Sequence, residues 1–131
     1  MKKNPYITEI IPTEEREQQD LFIGVGKLIP VYPALKLLYA IPNGGYRHQA
    51  TANRLKATGV KAGVPDMCLP VPRGEYHGMY IELKRRKGGQ LSEYQKWWIE
   101  RLKEEGYMVV VARGCDEALQ YIIDYLETDE E

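Results

Sequence analysis

Two short stretches combine acidic and basic side chains at a spacing that suits metal-assisted chemistry: Pro65-Asp66 and Glu82-Leu83-Lys84. Two carboxylates beside one ammonium group suit a hard divalent cation, since Mg²⁺ binds through one or two carboxylates together with waters and phosphate oxygens. Such a metal polarises a phosphate and acidifies a bound water, and Lys84 could hold or help deprotonate a nucleophile. The Leu83 backbone carbonyl is a further candidate ligand. On these residues alone, the more common alternative is a solvated salt-bridge ladder in which Asp66 caps a turn.

A β-hairpin is predicted to bring these side chains together. Two apolar runs, 66–71 and 78–84, have the length and composition of strands. The turn between them contains Pro72, Arg73 and Gly74. Residues two apart on a strand face the same way, so Glu82 and Lys84 share one face while the leucine between them points into the core. Antiparallel pairing can place Asp66, at the start of the first strand, beside Glu82.

Four helices are predicted around this hairpin. Thr13 can cap a helix whose first turn carries Glu14 and Glu15, and Ser92 followed by Gln95 has the spacing of a capping box. Apolar spacing in the first helix includes Leu21, Phe22, Val25 and Leu28, with Pro30 just beyond its end. The other three helices are predicted over 47–58, from 92 to about 105, and over 116–127.

Two further strands complete the predicted pattern. Residues 35–41 (LKLLYAI) have the composition of a buried strand, and residues 107–113 (YMVVVAR) that of a central strand. The resulting order is α-β-α-β-β-α-β-α. This order predicts an α/β fold with a mixed β-sheet flanked by helices.

Bulk properties are those of an ordinary soluble globular chain. With 131 residues, 44% hydrophobic and 28% charged, one domain is the simplest expectation. No signal peptide is expected, and lysines and prolines interrupt the most apolar stretch, 21–42, so no membrane span is expected. Cys68 and Cys115 lack metal-ligand spacing and are interpreted as buried thiols in a reducing cytoplasm.

Charge is distributed unevenly along the chain. Residues 44–103 contain 12 Lys and Arg against 5 Asp and Glu, whereas the two flanks contain 6 against 14. A basic middle region between acidic ends suggests one face that binds a polyanion. The alternative is that solvated charges cluster by chance.

The motifs GVPD, YIELKRRKGG, SEYQKWW and GYMVVV, with AIPNGGYR ahead of them and a Glu-rich first helix, resemble the VRR-NUC domain. This domain is a branch of the PD-(D/E)XK nuclease superfamily. The resemblance covers about residues 13–126, within a single domain of 1–131 that ends in an acidic tail, 127–131. It implies a PD-(D/E)XK core and Mg²⁺-dependent phosphodiester hydrolysis, with Mn²⁺ able to substitute. For stand-alone phage or bacterial members it implies a homodimer that acts on branched DNA such as Holliday junctions.

The resemblance also implies roles for individual residues. Asp66 and Glu82 correspond to metal ligands, Lys84 to the catalytic lysine, and Gln95 to a glutamine that orients the lysine or the water. The family places one more acid on the first helix. Glu14 is preferred because it shares a helical face with Leu21 and Val25, Glu17 comes second, and Glu15 is expected to be solvated.

Several residues are candidates for contacts with nucleic acid. Backbone amides of Asn43, Gly44 and Gly45 could hold a phosphate, although a tight turn is an equal alternative. The basic candidates, which could instead serve solubility alone, are Arg47, Lys56, Arg85 and Lys87. The aromatic residues Tyr94, Trp97 and Trp98 recur at helical spacing, and core or dimer packing is preferred over base stacking. A non-catalytic nucleic-acid-binding protein with the same fold is the alternative function, which the Asp66, Glu82 and Lys84 set disfavours.

Overall fold

The structure is a computed structural model that describes residues 10–42 and 49–129. Its helices are α1 (Glu14–Leu28), α2 (Gln49–Ala57), α3 (Glu93–Glu104) and α4 (Cys115–Leu126), with a 3₁₀ helix at Pro33–Leu37. Its strands are β1 (Tyr39–Ala40), β2 (Met67–Leu69), β3 (Met79–Lys84) and β4 (Met108–Arg113). This order of helices and strands is the predicted one.

A four-stranded mixed sheet has the order β1-β2-β3-β4. The pairs β1–β2 and β2–β3 are antiparallel, and β3–β4 is parallel. Helices α1 and α4 pack on each other and on one face of the sheet, while α3 contacts β4 from the other side. The predicted α/β fold with a mixed sheet flanked by helices is therefore confirmed.

The main core lies between the sheet and the α1–α4 pair. Alternate residues of the strands enter it, among them Ile81 and Leu83, and they meet Leu21 and Val25 of α1 and Ile122 of α4. The residues between them, including Glu82 and Lys84, therefore point to the face on which α3 lies. The predicted division of the GluLeuLys stretch between core and opposite face is confirmed.

The caps predicted for α1 and α3 are confirmed. Thr13 accepts a hydrogen bond from the Arg16 amide through its hydroxyl. Ser92 and Gln95 form a full capping box, in which each side chain accepts from the other's backbone N–H. A glycine with φ of 89°, Gly106, follows α3 in the left-handed region that ends helices well.

The prediction of a buried strand over 35–41 is wrong. Pro33 lies in the first turn of a 3₁₀ helix that continues to Leu37, and only Tyr39 and Ala40 pair with β2. Leu35 and Leu38 are buried, but both residues of β1 are exposed. Proline favours the first turn of a helix, which agrees with the position of Pro33. Leu35 and Leu38 are buried because they pack in the core and not because they pair in the sheet.

Strand β4 is not central, contrary to its prediction. Among the described residues its one sheet neighbour is β3, so it is an edge strand. Its apolar composition arises because α4 and α3 both contact it. Cys115 also differs from expectation: Cys68 is buried, whereas Cys115 is only partly buried at the start of α4. Within the described residues no helix is long and apolar enough to cross a membrane.

Candidate active site

The antiparallel ladder between β2 and β3 ends where the acidic residues begin. Met67 pairs with Ile81, and the residue before it, Asp66, continues past the ladder. The Asp66 Oδ2 atom accepts a hydrogen bond of 2.7 Å from the Leu83 backbone N–H. This bond holds the carboxylate beside β3, as the hairpin prediction expected.

Gln95 connects the other two members of the predicted set. Its Nε2 donates to Glu82 Oε1 at 2.8 Å, and its Oε1 accepts from Lys84 Nζ at 3.1 Å. The same Oε1 also accepts from the Ser92 N–H at 2.9 Å. Lys84 Nζ lies 3.9 Å from Glu82 Oε1. The amide of Gln95 thus fixes the carboxylate and the ammonium group relative to each other.

Burial gives this cluster unusual electrostatics. Glu82 is 1% exposed and Lys84 6% exposed, whereas Asp66 is only partly buried. Burial, followed by the neighbouring Asp66 charge, raises the pKa of Glu82 to about 8, and Lys84 opposes this shift only in part. The positive charge of Lys84 therefore does not offset burial and the second carboxylate. The geometry therefore favours a cation close to Glu82 and Asp66.

Two atoms are available to such a cation. Glu82 Oε2 is buried and has no hydrogen-bond partner among the described residues. The N–H and C=O of one strand residue point to the same side, so the Leu83 carbonyl faces the side of Asp66, beyond the end of β2. No cluster of three or more His, Cys, Asp or Glu forms a ready-made metal site in the parts of the chain that the structure describes. Mg²⁺ requires only one or two carboxylates with waters, so the residues present fit it.

The two candidate acids on α1 lie in different surroundings. A Cβ added to Gly89 would lie 4.0 Å from Glu14 Oε1 and 3.9 Å from Lys84 Cδ, so Glu14 and Lys84 flank the same point. Glu14 also contributes to the raised pKa of Glu82. This placement supports Glu14 as the acid nearest the cluster.

Glu17 is occupied elsewhere. It is buried, and its carboxylate accepts from the Arg86 guanidinium at 3.2 Å and from the Cys115 N–H at 2.9 Å. It joins α1 to the start of α4 and to the loop after β3. Within the described parts of the chain, Glu17 thus has a structural partner set that Glu14 does not share.

We expect substitutions of these two glutamates to separate metal affinity from stability. Glu17→Ala should lower the free energy of unfolding by about 2 kcal/mol, because it leaves the Cys115 N–H and part of Arg86 without an acceptor. Glu14→Ala should weaken Mg²⁺ binding and change stability by less than about 1 kcal/mol. Chemical denaturation and calorimetric metal titration measure the two effects. A folded Glu17→Ala protein that loses metal, with Glu14→Ala unaffected, would reverse the assignment.

The basic loop after β3 is held by contacts that were not predicted. Arg113, the last residue of β4, donates to the carbonyls of Arg85 at 3.0 Å, Gly88 at 2.6 Å and Gly89 at 3.0 Å. Arg113 pairs in register with Lys84, and this register is the signal that could have revealed it. The contacts fix the loop immediately after the lysine of the candidate site.

The predicted nucleic-acid-binding residues are dispersed. Arg85 is exposed, but its guanidinium donates to the backbone carbonyls of Pro12 and Ile11. Lys87 is exposed on the loop that Arg113 holds, and Lys56 is exposed on α2. The remaining candidates, Asn43, Gly44, Gly45 and Arg47, lie outside the described residues.

The aromatic stripe of α3 lies mostly outside the core of the chain, so core packing is wrong for Tyr94 and Trp97, whereas dimer packing stays a prediction. Tyr94 is 68% exposed and Trp97 is 52% exposed, while Trp98 is partly buried. Of this helix only Ile99 is fully buried. The stripe therefore remains available on the surface that begins next to Gln95.

Comparison with known proteins shows the family to which the chain belongs. The family model described as VRR-NUC domain matches residues 33–116. A solved structure named "VRR_NUC domain protein" is 30% identical, with a TM-score of 0.76, and the alignment covers 93% of this chain and 95% of that one. No curated protein is a significant match. The family match includes Asp66, Glu82, Lys84 and Gln95. The chain therefore belongs to the VRR-NUC domain family, a nuclease-type family whose members are expected to bind nucleic acid.

Proposed function

We propose that this protein is a Mg²⁺-dependent endonuclease that hydrolyses DNA phosphodiester bonds. Its preferred substrate is branched DNA, such as a Holliday junction, in replication, recombination or repair within the cytoplasm. The observation that carries the proposal is the hydrogen-bonded chain Glu82–Gln95–Lys84, whose two charged ends are buried, with Asp66 anchored beside it and Glu82 Oε2 without a hydrogen-bond partner within 10–42 and 49–129. This arrangement costs stability unless a cation occupies it.

Asp66, Glu82 and the Leu83 carbonyl would hold the metal, and Glu14 lies at the exposed edge of the same site. When bound, Mg²⁺ polarises the scissile phosphate and lowers the pKa of a coordinated water. Mn²⁺ accepts the same oxygen ligands and is expected to substitute. No other cofactor is required for this chemistry.

Lys84 and Gln95 supply the remaining functions. The Lys84 ammonium group can donate to a phosphate oxygen and hold the nucleophile close to phosphorus. Gln95 orients it, since its Oε1 accepts from Lys84 Nζ while its Nε2 restrains Glu82. Because Gln95 is itself fixed by the cap of α3, the ammonium group has few alternative positions.

The alternative function, non-catalytic binding of nucleic acid, accounts less well for these residues. Buried acids repel phosphates and raise the pKa of Glu82, which costs free energy of folding. A protein that only binds DNA gains nothing from them. The binding contribution would come instead from exposed cations such as Lys56 and Lys87.

The central test is cleavage of labelled four-way junction, flap, nicked duplex and single-stranded DNA with purified protein. We expect cutting in Mg²⁺ or Mn²⁺ and none in EDTA. Ca²⁺ should support binding with little cutting, because its larger and looser coordination shell positions the nucleophile poorly. Binding should weaken with salt at a logarithmic slope of about −0.9 per neutralised phosphate. Undiminished cleavage by metal-stripped protein would contradict the proposal.

A homodimer belongs to the same proposal, because resolving a junction requires two symmetric cuts and each chain offers one site. Candidate contact surfaces are the aromatic segment 94–98 and the stretch 28–41. The latter has three large exposed apolar side chains in or near the short edge strand β1: Val31, Leu37 and Tyr39. Light scattering should give twice the chain mass of 15.1 kDa at micromolar concentration. Leu37→Glu should give monomers that still nick DNA but do not resolve junctions. Full junction resolution by a monomer would contradict this expectation.

A further inference from the structure

A surface groove between the end of α2 and the outer face of α3 is lined by aromatic and basic side chains. Its principal members are Lys56, Lys61, Tyr94, Trp97 and Trp98. The groove has a volume of about 540 Å³, within the range of small-molecule binding pockets. Among the residues that the structure describes, no acidic side chain contributes to its lining. The combination of aromatic rings with unopposed cations is suited to one particular kind of ligand.

We propose that this groove binds unpaired nucleotides by stacking their bases on Tyr94 and Trp97 while Lys56 and Lys61 contact the phosphates. The inference rests on the proposed nuclease function and names its substrate class more closely: nucleic acid with a single-stranded segment beside the cleaved bond. Every base has a flat face, so aromatic stacking accepts single strands without regard to sequence. A duplex hides those faces and gains little from the groove.

Two neighbouring side chains already restrain the indole of Trp97 before any ligand binds. The Arg101 guanidinium lies over its ring at 5.7 Å from the centroid, and Trp98 meets it edge-on with centroids 5.5 Å apart. Arg101 is itself held by Glu104 at 2.8 Å. These contacts reduce the entropy that the ring would lose on binding, while about half of its surface stays exposed.

Residues of the groove adjoin residues of the candidate active site in the sequence at two places, on α3 and in the segment before β2. Tyr94 immediately precedes Gln95, which holds Glu82 and Lys84. Gly63, with φ of 88°, packs so closely on the Tyr94 backbone that an added Cβ would lie 2.6 Å from it. Asp66 follows only three residues later, a span of about 10 Å at most. The groove therefore lies near the candidate active site.

Charge distinguishes this ligand from a second copy of the chain. Lys56 and Lys61 are exposed and form no ion pair with any residue in 10–42 or 49–129. In a two-fold symmetric dimer the same patch meets itself, which would bring lysines together without acids between them. A polyanion neutralises both lysines. The groove therefore fits a nucleic-acid strand better than a dimer contact.

The test compares binding of fluorescein-labelled oligo(dT) and of a blunt duplex in EDTA, where cleavage cannot interfere. Trp97→Ala and Tyr94→Ala should each weaken single-strand binding by roughly 5- to 150-fold and duplex binding by less than about 2-fold. Trp97→Phe keeps a stacking ring and should restore most of the affinity. Tyr121→Ala, which removes an exposed aromatic side chain from α4, is the matched control and should have no effect.

A second pair of variants examines charge. Lys56→Ala/Lys61→Ala should weaken single-strand binding and reduce its salt slope by about 1.4, if each lysine contacts one phosphate, because each phosphate contact on a single strand contributes about 0.7. Lys27→Ala/Lys36→Ala removes the same charge from exposed positions outside the groove and should leave the slope unchanged. Circular dichroism and thermal unfolding of each variant establish that it is folded.

Three results would overturn the inference. Equal losses for single strand and duplex would indicate general electrostatic binding only, and no loss with Trp97→Ala would exclude stacking. A change of Trp97→Ala from dimer to monomer in light scattering, with unchanged affinity for oligo(dT), would assign the groove to a second copy. Each differs from failure of the nuclease proposal, which is absence of cleavage in Mg²⁺ by a protein that still binds single strands through Trp97.

Discussion

We expect Glu82→Gln to abolish DNA cleavage and, at the same time, to stabilise the metal-free protein. Glu82 is buried beside Asp66, and its pKa of about 8 shows how strongly its charged form is disfavoured there. Glutamine keeps the size and an oxygen that can accept from Gln95 Nε2, and it replaces a charge by an amide that can donate to Asp66. Cleavage should fall by at least about 10²- to 10⁴-fold, as expected for loss of a group at the reacting centre.

The stability gain should depend on pH with a definite sign. Between about pH 4.5 and pH 8 the folded protein keeps the proton on Glu82 while the unfolded chain has released it. The free energy of unfolding in EDTA therefore falls as pH rises through this window, by on the order of 4 kcal/mol for this group alone. Glu82→Gln removes that dependence, so its melting temperature at pH 8 should exceed that of the wild type by about 5 °C or more.

Scanning calorimetry in EDTA at pH 5, 6, 7 and 8 measures this effect. Glu75→Gln makes the same chemical change at an exposed turn position and should alter stability by less than about 0.5 kcal/mol at every pH. Saturating Mg²⁺ should reduce the difference between wild type and Glu82→Gln, since only the wild type gains from the cation. A Glu82→Gln protein less stable than wild type at pH 8 would show that the carboxylate is stabilised by its surroundings after all.

The second large effect concerns the separate functions of Asp66 and Lys84. Asp66→Asn keeps an oxygen that can accept from the Leu83 N–H, so the strand geometry should survive, but it removes a charge from the metal site. We expect it to lose Mn²⁺ binding and cleavage together. Its affinity for DNA in EDTA should be equal or higher, because a negative charge facing phosphates is gone.

Lys84→Met should instead separate metal binding from cleavage. Both carboxylates remain, so Mn²⁺ should still bind in calorimetric titration, while cleavage should fall by about 10²- to 10⁴-fold. Lys103→Met, at an exposed position near the end of α3, is the matched control and should cleave normally. If Asp66→Asn and Glu82→Gln bind Mn²⁺ normally and still nick DNA, the metal site lies elsewhere in the protein.

The elements around the candidate site were predictable because their signals are local. A threonine or serine cap and a capping-box glutamine act within four residues, so Thr13 and the Ser92–Gln95 pair marked the true helix starts. The spacing of Asp66, Glu82 and Lys84 on a hairpin is also local, and the structure brings these residues together. The resemblance to the VRR-NUC domain is confirmed, whereas the catalytic roles remain proposals.

The errors arose where packing across the fold decides the outcome. The composition of a strand indicates whether its two faces are covered, not how many strands lie beside it. Strand β4 is apolar because helices cover both of its faces, although it has one sheet neighbour among the described strands. Short apolar runs flanked by prolines do not distinguish a 3₁₀ turn from a strand, which explains the error at 35–41. Spacing along a helix does not show whether a neighbour covers that side, so the exposure of Trp97 within the chain could not be predicted, and its packing in a dimer stays a prediction.

Contacts to backbone carbonyls were equally hidden. Arg113 binds three carbonyls of the loop after β3, and any residue type can supply a carbonyl. The distinction between Glu14 and Glu17 also required the fold, because helical angle leaves both close to the core side. The two glutamates are distinguished by the fold, because the Arg86 guanidinium and the N–H at the start of α4 both donate hydrogen bonds to Glu17.

Gln95 has a consequence for how heat affects this protein. Its side chain caps the first turn of α3 and also restrains Glu82 and Lys84. The helix cap and the arrangement of these two side chains therefore form and break together. Helix ends open locally at a much smaller free-energy cost than whole domains, and a cap contributes only about 1 kcal/mol. Each opening releases the lysine and the carboxylate at once. We therefore expect the fraction of molecules with an assembled candidate site to follow the fraying equilibrium of residues 92–95, so that warming disrupts this site in molecules whose core is still fully folded.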